Sequence, residues 1–209
     1  MTHHLTTRRT LALSCAFTLA LSLSACSSQT SSNPTPSPSA SPTESFAITA
    51  TEGIENPDLP ERPAEMDNDD KYGAAATAEY FLRLSLYGSA TDNWDDYNAL
   101  SAPDCEFCTS FRDNAHKNQE NFSSKTMPEM TVNDIAVGRK EDNPEHWRVN
   151  LVAQHGSSMI TYKNGKAENV EGVTTGFTFL LDSSNGWKVL TTETFKAELF
   201  YELYPEANQ

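Results

Sequence analysis

Basic side chains are in short supply: 15 Lys and Arg stand against 29 Asp and Glu in 209 residues, a formal net charge of −14. A surface of that sign repels nucleic-acid phosphates, so no nucleic-acid partner is expected. Nor does it offer the basic patch that holds a protein on an anionic lipid surface. A long hydrophobic run is missing as well. The apolar stretch from Leu11 to Leu23 falls short of the roughly 20 residues that a permanent membrane-crossing helix needs. Calcium-loop chemistry is absent: in the acidic run Asp67-Asn68-Asp69-Asp70, the sixth and twelfth loop positions hold Tyr72 and Ala78 where glycine and glutamate are required. Cysteines number only four. A structural zinc site needs four ligands, and beside Cys105 and Cys108 only His116 shares the helical face, so no metal and no cofactor is expected.

The amino terminus is informative. Arg8 and Arg9 form a positive region, Leu11–Leu23 an apolar one, and Leu23-Ser24-Ala25-Cys26 follows at once. A charged start, a short apolar core and small residues before the cut describe a secretion signal, here residues 1–25. A cysteine directly after that small pair is where a bacterial lipoprotein receives its diacylglycerol, so Cys26 is the expected lipidation site. The expectation is a protein held by lipid at the extracytoplasmic face of the cell membrane. Signal removal takes two of the 15 basic residues and no acidic one, so 13 positive against 29 negative charges give −16. Attachment must then come from the acyl chains, at about 0.8 kcal/mol per buried methylene.

Residues 26–66 read as a tether. Ser27–Pro42 is nearly all Ser, Thr, Pro, Asn and Ala, and seven of the eleven prolines lie between Pro34 and Pro63. Such a segment cannot bury enough apolar surface to offset its ordering entropy. With Cys15 lost in the signal and Cys26 acylated, Cys105 and Cys108 remain as one pair. Outside the cytoplasm a disulfide is the default for them.

The folded domain is expected over 67–209. Asp67, Asp69 and Asp70 supply capping oxygens before a helical repeat of Tyr72, Ala76, Tyr80, Leu84 and Tyr87, with Gly88 as the stop. A second short helix is predicted from Asp92 to Leu100, capped by Asp92. A third runs from Cys105 to about Asn118, with Asp104 at its cap. Beyond Met127 the pattern alternates. Met130–Val137, Trp147–Ala153, Met159–Tyr162, Val173–Leu181 and Trp187–Phe195 read as strands, with hairpin signals at Asn164-Gly165 and Asn185-Gly186. Lys196–Tyr204 suits a short terminal helix. Helices followed by an antiparallel meander make an α+β fold.

In this order of parts, ending in Gly186-Trp187-Lys188-Val189, the chain resembles the nuclear transport factor 2-like (cystatin-like cone) superfamily. More narrowly it is similar to uncharacterised actinobacterial lipoproteins with a lipobox, a Ser/Thr/Pro tether and a Cys-x-x-Cys after an Ala-Leu-Ser approach, here Ala99-Leu100-Ser101-Ala102-Pro103-Asp104-Cys105-Glu106-Phe107-Cys108. The resemblance spans roughly residues 70–196. It implies N-terminal helices packed on a curved antiparallel sheet, around a cone that serves catalysis, ligand binding or protein docking in different members. Fold alone therefore does not decide function.

Three groups of residues could carry chemistry. Cys105 and Cys108, three apart on a helix, are within disulfide reach. A structural staple is the leading reading. A redox dithiol is the alternative, weakened because Asp104 and Glu106 raise rather than lower a thiol pKa and no βαβ pattern surrounds the pair. Tyr80, Tyr87, Asp95 and Asp96 are the residue types of cone-cavity acid–base catalysis, but no spacing rule singles them out. Trp94, Phe107, Phe111, Phe122, Trp147, Phe177, Phe179 and Trp187 fill a core or line a pocket. His146 and His155 stand alone. No motif names a reaction, so the expected role is a non-enzymatic binding or interaction module at the cell envelope, with a protein partner or a small apolar ligand. A small-ligand or enzymatic cone is the alternative.

Overall fold

The computed structural model describes residues 53–208. The signal sequence, Cys26 and the tether up to residue 52 lie outside the described residues. The domain begins earlier than the expected start at Asp67. Ile54 and Met127 exchange two backbone hydrogen bonds, of 2.7 and 3.0 Å, and Met66 is buried within a short 3-10 turn at Ala64–Asp67. Residues 54–66 have the composition of a tether because their prolines and acids mask one apolar anchor, Met66, while Ile54 is held through its backbone alone.

Helix α1 spans Lys71–Thr91. Its cap is Asp70, whose Oδ1 accepts from the backbone N–H groups of Tyr72 (2.8 Å) and Gly73 (2.9 Å). Contrary to the expected stop, the helix runs through Gly88. A β-carbon there would lie 2.5 Å from Trp94 Cε3, so glycine is present to admit the indole, not to end the helix. The end comes at Asp92, which takes the left-handed conformation (φ 63°) that an aspartate tolerates better than most residues.

Helix α2 covers Asp95–Leu100 and α3 Glu106–Gln119. Neither uses its expected aspartate cap. Asp92 belongs to the end of α1, and α3 is capped by Cys105, whose Sγ accepts from the Cys108 N–H at 3.2 Å.

Seven strands follow: β1 (Phe122–Lys125), β2 (Met130–Arg139), β3 (His146–His155), β4 (Ser158–Tyr162), β5 (Ala167–Val170), β6 (Val173–Asp182) and β7 (Lys188–Phe195). They form two antiparallel sheets, β2-β3-β6-β7 and the smaller β1-β4-β5. The predicted alternation holds in the larger one: Trp147, Val149, Leu151 and Ala153 are buried in β3. Gly165 (φ 85°) closes the β4–β5 hairpin and Gly186 (φ 81°) the turn before β7. Irregular register in β2–β3 and β6–β7 marks the bulges that bend such a sheet. The architecture is thus the expected α+β one, helices followed by a curved antiparallel sheet.

The helices cover the inner face. Phe81 stacks on Tyr97 (4.3 Å between centroids) and meets Phe179 edge-on at 6.3 Å, with Leu84, Leu151, Leu181 and Val189 fully buried beside them. The cone is therefore filled by side chains. On the outer face, α4 (Glu198–Leu203) sets Phe200 against Val152 in a second, smaller core. Gly176 is needed beneath it, because a β-carbon would meet Phe195 at 2.3 Å. No described helix is long and apolar enough to cross a membrane.

Candidate functional site

Most of the residues singled out in the sequence turn out to be structural. Trp94, Trp147, Phe177, Phe179 and Trp187 are buried in the core. Tyr80 donates to Asp96 Oδ2 at 3.4 Å, and its burial raises its pKa. Asp95 and Tyr87 do not join them. Cys105 and Cys108 stand at disulfide distance, with Cα atoms 5.2 Å apart, and both are buried. His116 Nδ1–H meets both oxygens of Asp92 (2.7 and 2.9 Å), which raises its pKa chiefly through that hydrogen bond. His155 has its pKa lowered by burial, and its Nε2 has no hydrogen-bond partner. Among the described residues, no group of three or more His, Cys, Asp or Glu is placed to hold a metal ion.

The unexpected feature is a cleft of about 330 Å³ between α3 and the small sheet. Phe111, Asn114, Ala115 and Asn118 recur three and four apart, so they form one stripe of α3 and make one wall. Phe122 and Lys125 of β1, with Ile160 of β4, make the facing wall, and Ser89 near the end of α1 closes the back. Lys125 pairs directly with Ile160 in the strand register, which fixes its side chain on the cleft side. A bulge between Phe122 and Ser124 brings Phe122 to that side too. Trp94, edge-on to Phe111 at 6.1 Å, supports the helical wall from behind. Gln119 ties α3 to α1 by donating to the carbonyls of Gly88 (3.3 Å) and Ser89 (2.8 Å).

The polar groups of this cleft are unspent. The Lys125 amine has no hydrogen-bond or ion-pair partner among the described residues, and burial alone lowers its pKa. Ser89 is only 7 % exposed, yet its hydroxyl makes no hydrogen bond there. Asn114 and Asn118 are exposed, and their amides make no hydrogen bond to the described residues. In a larger cleft of about 590 Å³ on the outer face of the main sheet, the exposed Arg148 and Glu141 are also without partners among the described residues, but the other polar groups are mostly paired. There Lys140 pairs with Asp142, Asn150 with Tyr204 and Thr178, and Arg139 with Asp69 and the Trp147 ring.

Residues 48–193 match the model of a family described as a family of unknown function (DUF6318). The chain belongs to the DUF6318 family. No curated protein matches it. Among solved structures, this DUF6318 protein is similar to the intermembrane space region of the chloroplast protein ARC6, at 11 % identity and TM-score 0.49, over 61 % of this chain and 98 % of that one. A nuclear transport factor 2-like superfamily protein from Salmonella enterica serovar Typhimurium matches at 10 % identity and TM-score 0.39, over 59 % and 92 % of the two chains. A hexachlorocyclohexane dehydrochlorinase (LinA) of type 2 matches at 11 % and 0.43, over 63 % and 89 %. At these identities and scores no function is transferred from them.

The cleft escaped sequence reading for a physical reason. Phe122-Ser123-Ser124-Lys125 has no alternation that marks a strand, and a lysine is by default a solvated surface residue. The available signal was the stripe Phe111, Ala115 and Asn118, whose apolar members carry the core-packing face of α3 toward the small sheet.

Proposed function

We propose that this protein is a lipoprotein anchored through Cys26 at the extracytoplasmic face of the cell membrane, with its DUF6318 domain acting as a non-enzymatic binding module of nuclear transport factor 2-like architecture. The anchor rests on the Leu23-Ser24-Ala25-Cys26 motif behind a short apolar run. The binding role rests on one observation: Lys125 is the sole titratable side chain lining a cleft otherwise made of aromatic, aliphatic, amide and hydroxyl groups. General acid–base catalysis needs groups of matched pKa in reach of the reacting atoms. A lone cation with neutral hydrogen-bonding groups on apolar walls is instead a recognition set. The Cys105–Cys108 pair, buried at the start of α3, acts in this reading as a structural disulfide.

The anchor is tested by fractionating cells that express the full chain or its Cys26→Ser variant. The wild type is expected in the membrane fraction, and the variant in the soluble fraction or as an uncleaved precursor. Membrane retention of a cleaved Cys26→Ser protein would contradict the reading.

A further inference from the structure

We propose that the cleft between α3 and the small sheet binds a small carboxylate with an apolar body, such as a single aromatic ring or a short alkyl chain, its carboxylate held by Lys125 and its body lying between Phe111 and Phe122. The inference rests on the binding-module reading above and names the ligand class for it.

Three features converge on that class. The first is charge. Lys125 faces the cleft with no counter-ion in the protein, in a chain with nearly twice as many acidic as basic residues. Carboxylates could have been supplied readily from nearby positions, yet none lines the cleft. Lys125 is half-buried, so its ammonium is partly desolvated, and an incoming anion offsets that cost as it binds. The lowered basicity of Lys125 has the same origin, since burial alone depresses it.

The second is hydrogen bonding. The Ser89 hydroxyl lies at the back of the cleft on a residue 93 % buried and without a partner, the complement of its 7 % exposure. Asn114 and Asn118 present free amides along the same wall. A carboxylate offers about four acceptor sites, enough to engage the ammonium, the hydroxyl and an amide together.

The third is shape. Phe111 and Phe122 stand on opposite walls, with Ala115 and Ile160 adding apolar surface. Phe122 is itself held edge-on by Tyr162 at 5.3 Å, and Phe111 by Trp94, so both walls are pre-organised. At about 330 Å³ the space lies at the small end of the range for small-molecule pockets, which excludes large or multiply branched ligands.

The test is isothermal titration of the full-length protein with 3-phenylpropionate and with its neutral analogue 3-phenylpropionamide. Wild type is expected to bind the carboxylate saturably at one site and the amide at least about tenfold more weakly, the scale of one charge-assisted hydrogen bond. Lys125→Met keeps the aliphatic stem and should lose about that same factor for the carboxylate and clearly less for the amide, whose carbonyl accepts from the ammonium without a charge pair. Lys125→Arg should restore most of the carboxylate affinity. Ser89→Ala should weaken the carboxylate by a few-fold without affecting the fold, checked by circular dichroism. Absence of saturable binding by wild type at millimolar ligand, equal affinity for acid and amide, or no effect of Lys125→Met would each overturn the assignment. None of these outcomes bears on the anchor, which the Cys26→Ser fractionation tests separately.

Discussion

Replacing Gly88 by alanine sets two opposed forces against each other. Gly88 lies inside α1, where alanine is favoured over glycine by about 0.8–1.0 kcal/mol of helix propensity. Judged by propensity alone, Gly88→Ala should therefore stabilise the protein. The structure reverses the sign. The new β-carbon would meet three atoms of the Trp94 indole at 2.5, 2.7 and 2.7 Å, so the ring must retreat by about 1 Å to reach ordinary contact. Trp94 is not free to retreat. Its Nε1 donates to Asp92 at 3.1 Å, and its ring is edge-on to Tyr97 at 5.2 Å and to Phe111 at 6.1 Å. Overpacking a well-fitted core costs about 1–3 kcal/mol, and these restraints place the cost near the top of that range. Subtracting the propensity gain leaves a net loss of about 2 kcal/mol, or about 4–8 °C in melting temperature for a domain of this size. Thermal unfolding by circular dichroism reads this directly. In a double-mutant cycle with Trp94→Phe, the smaller ring should relieve the clash and give a coupling of at least about 1 kcal/mol. A higher melting temperature for Gly88→Ala, with no coupling, would refute the argument that Trp94 dictates glycine at this position.

Two further perturbations follow from the described geometry. Cys105→Ser should lower stability by no more than about 2 kcal/mol, because a disulfide across so few residues removes little unfolded-state entropy; urea denaturation with and without reductant measures it, and a loss several times larger would show that the pair does more than staple α3. The two described histidines with shifted pKa values should also act in opposite directions with pH. His116, raised by its hydrogen bond to Asp92, adds stability that is fully present below about pH 6.5 and is lost as pH rises through its folded pKa. His155, lowered by burial, adds stability present above about pH 6.5 and lost as pH falls through its folded pKa. NMR titration should place the His116 midpoint above that of His155, and Asp92→Asn should bring His116 down alone. Coincident midpoints would contradict both assignments.

What could be read in the sequence, and what could not, divides along physical lines. Strand β3 was legible because its inner face is apolar at every second position from Trp147 to Ala153, and the β4–β5 turn because Asn-Gly supplies a positive φ. The Asp70 cap was legible because it rests on a local hydrogen bond. Gly88 misled because a glycine in a helix has two meanings, end or close approach, and the partner that decides between them, Trp94, lies beyond the helix. Asp92 misled in a related way, serving the end of α1 and His116 rather than the start of α2. The start of the domain was obscured by prolines around Ile54 and Met66. The cleft was the least legible feature, since Lys125, Ser89 and the α3 stripe come from three separate stretches that only the packing of α1, α3 and β1 brings together.

The most direct test of the central claim is the intact mass of the protein purified from its native membrane, with thiol alkylation before and after reduction. The expected product begins at Cys26, carries acyl chains on it, and takes up no alkylating reagent until Cys105 and Cys108 are reduced. An unacylated chain still carrying residues 1–25, or a cysteine pair alkylated without reductant, would contradict it.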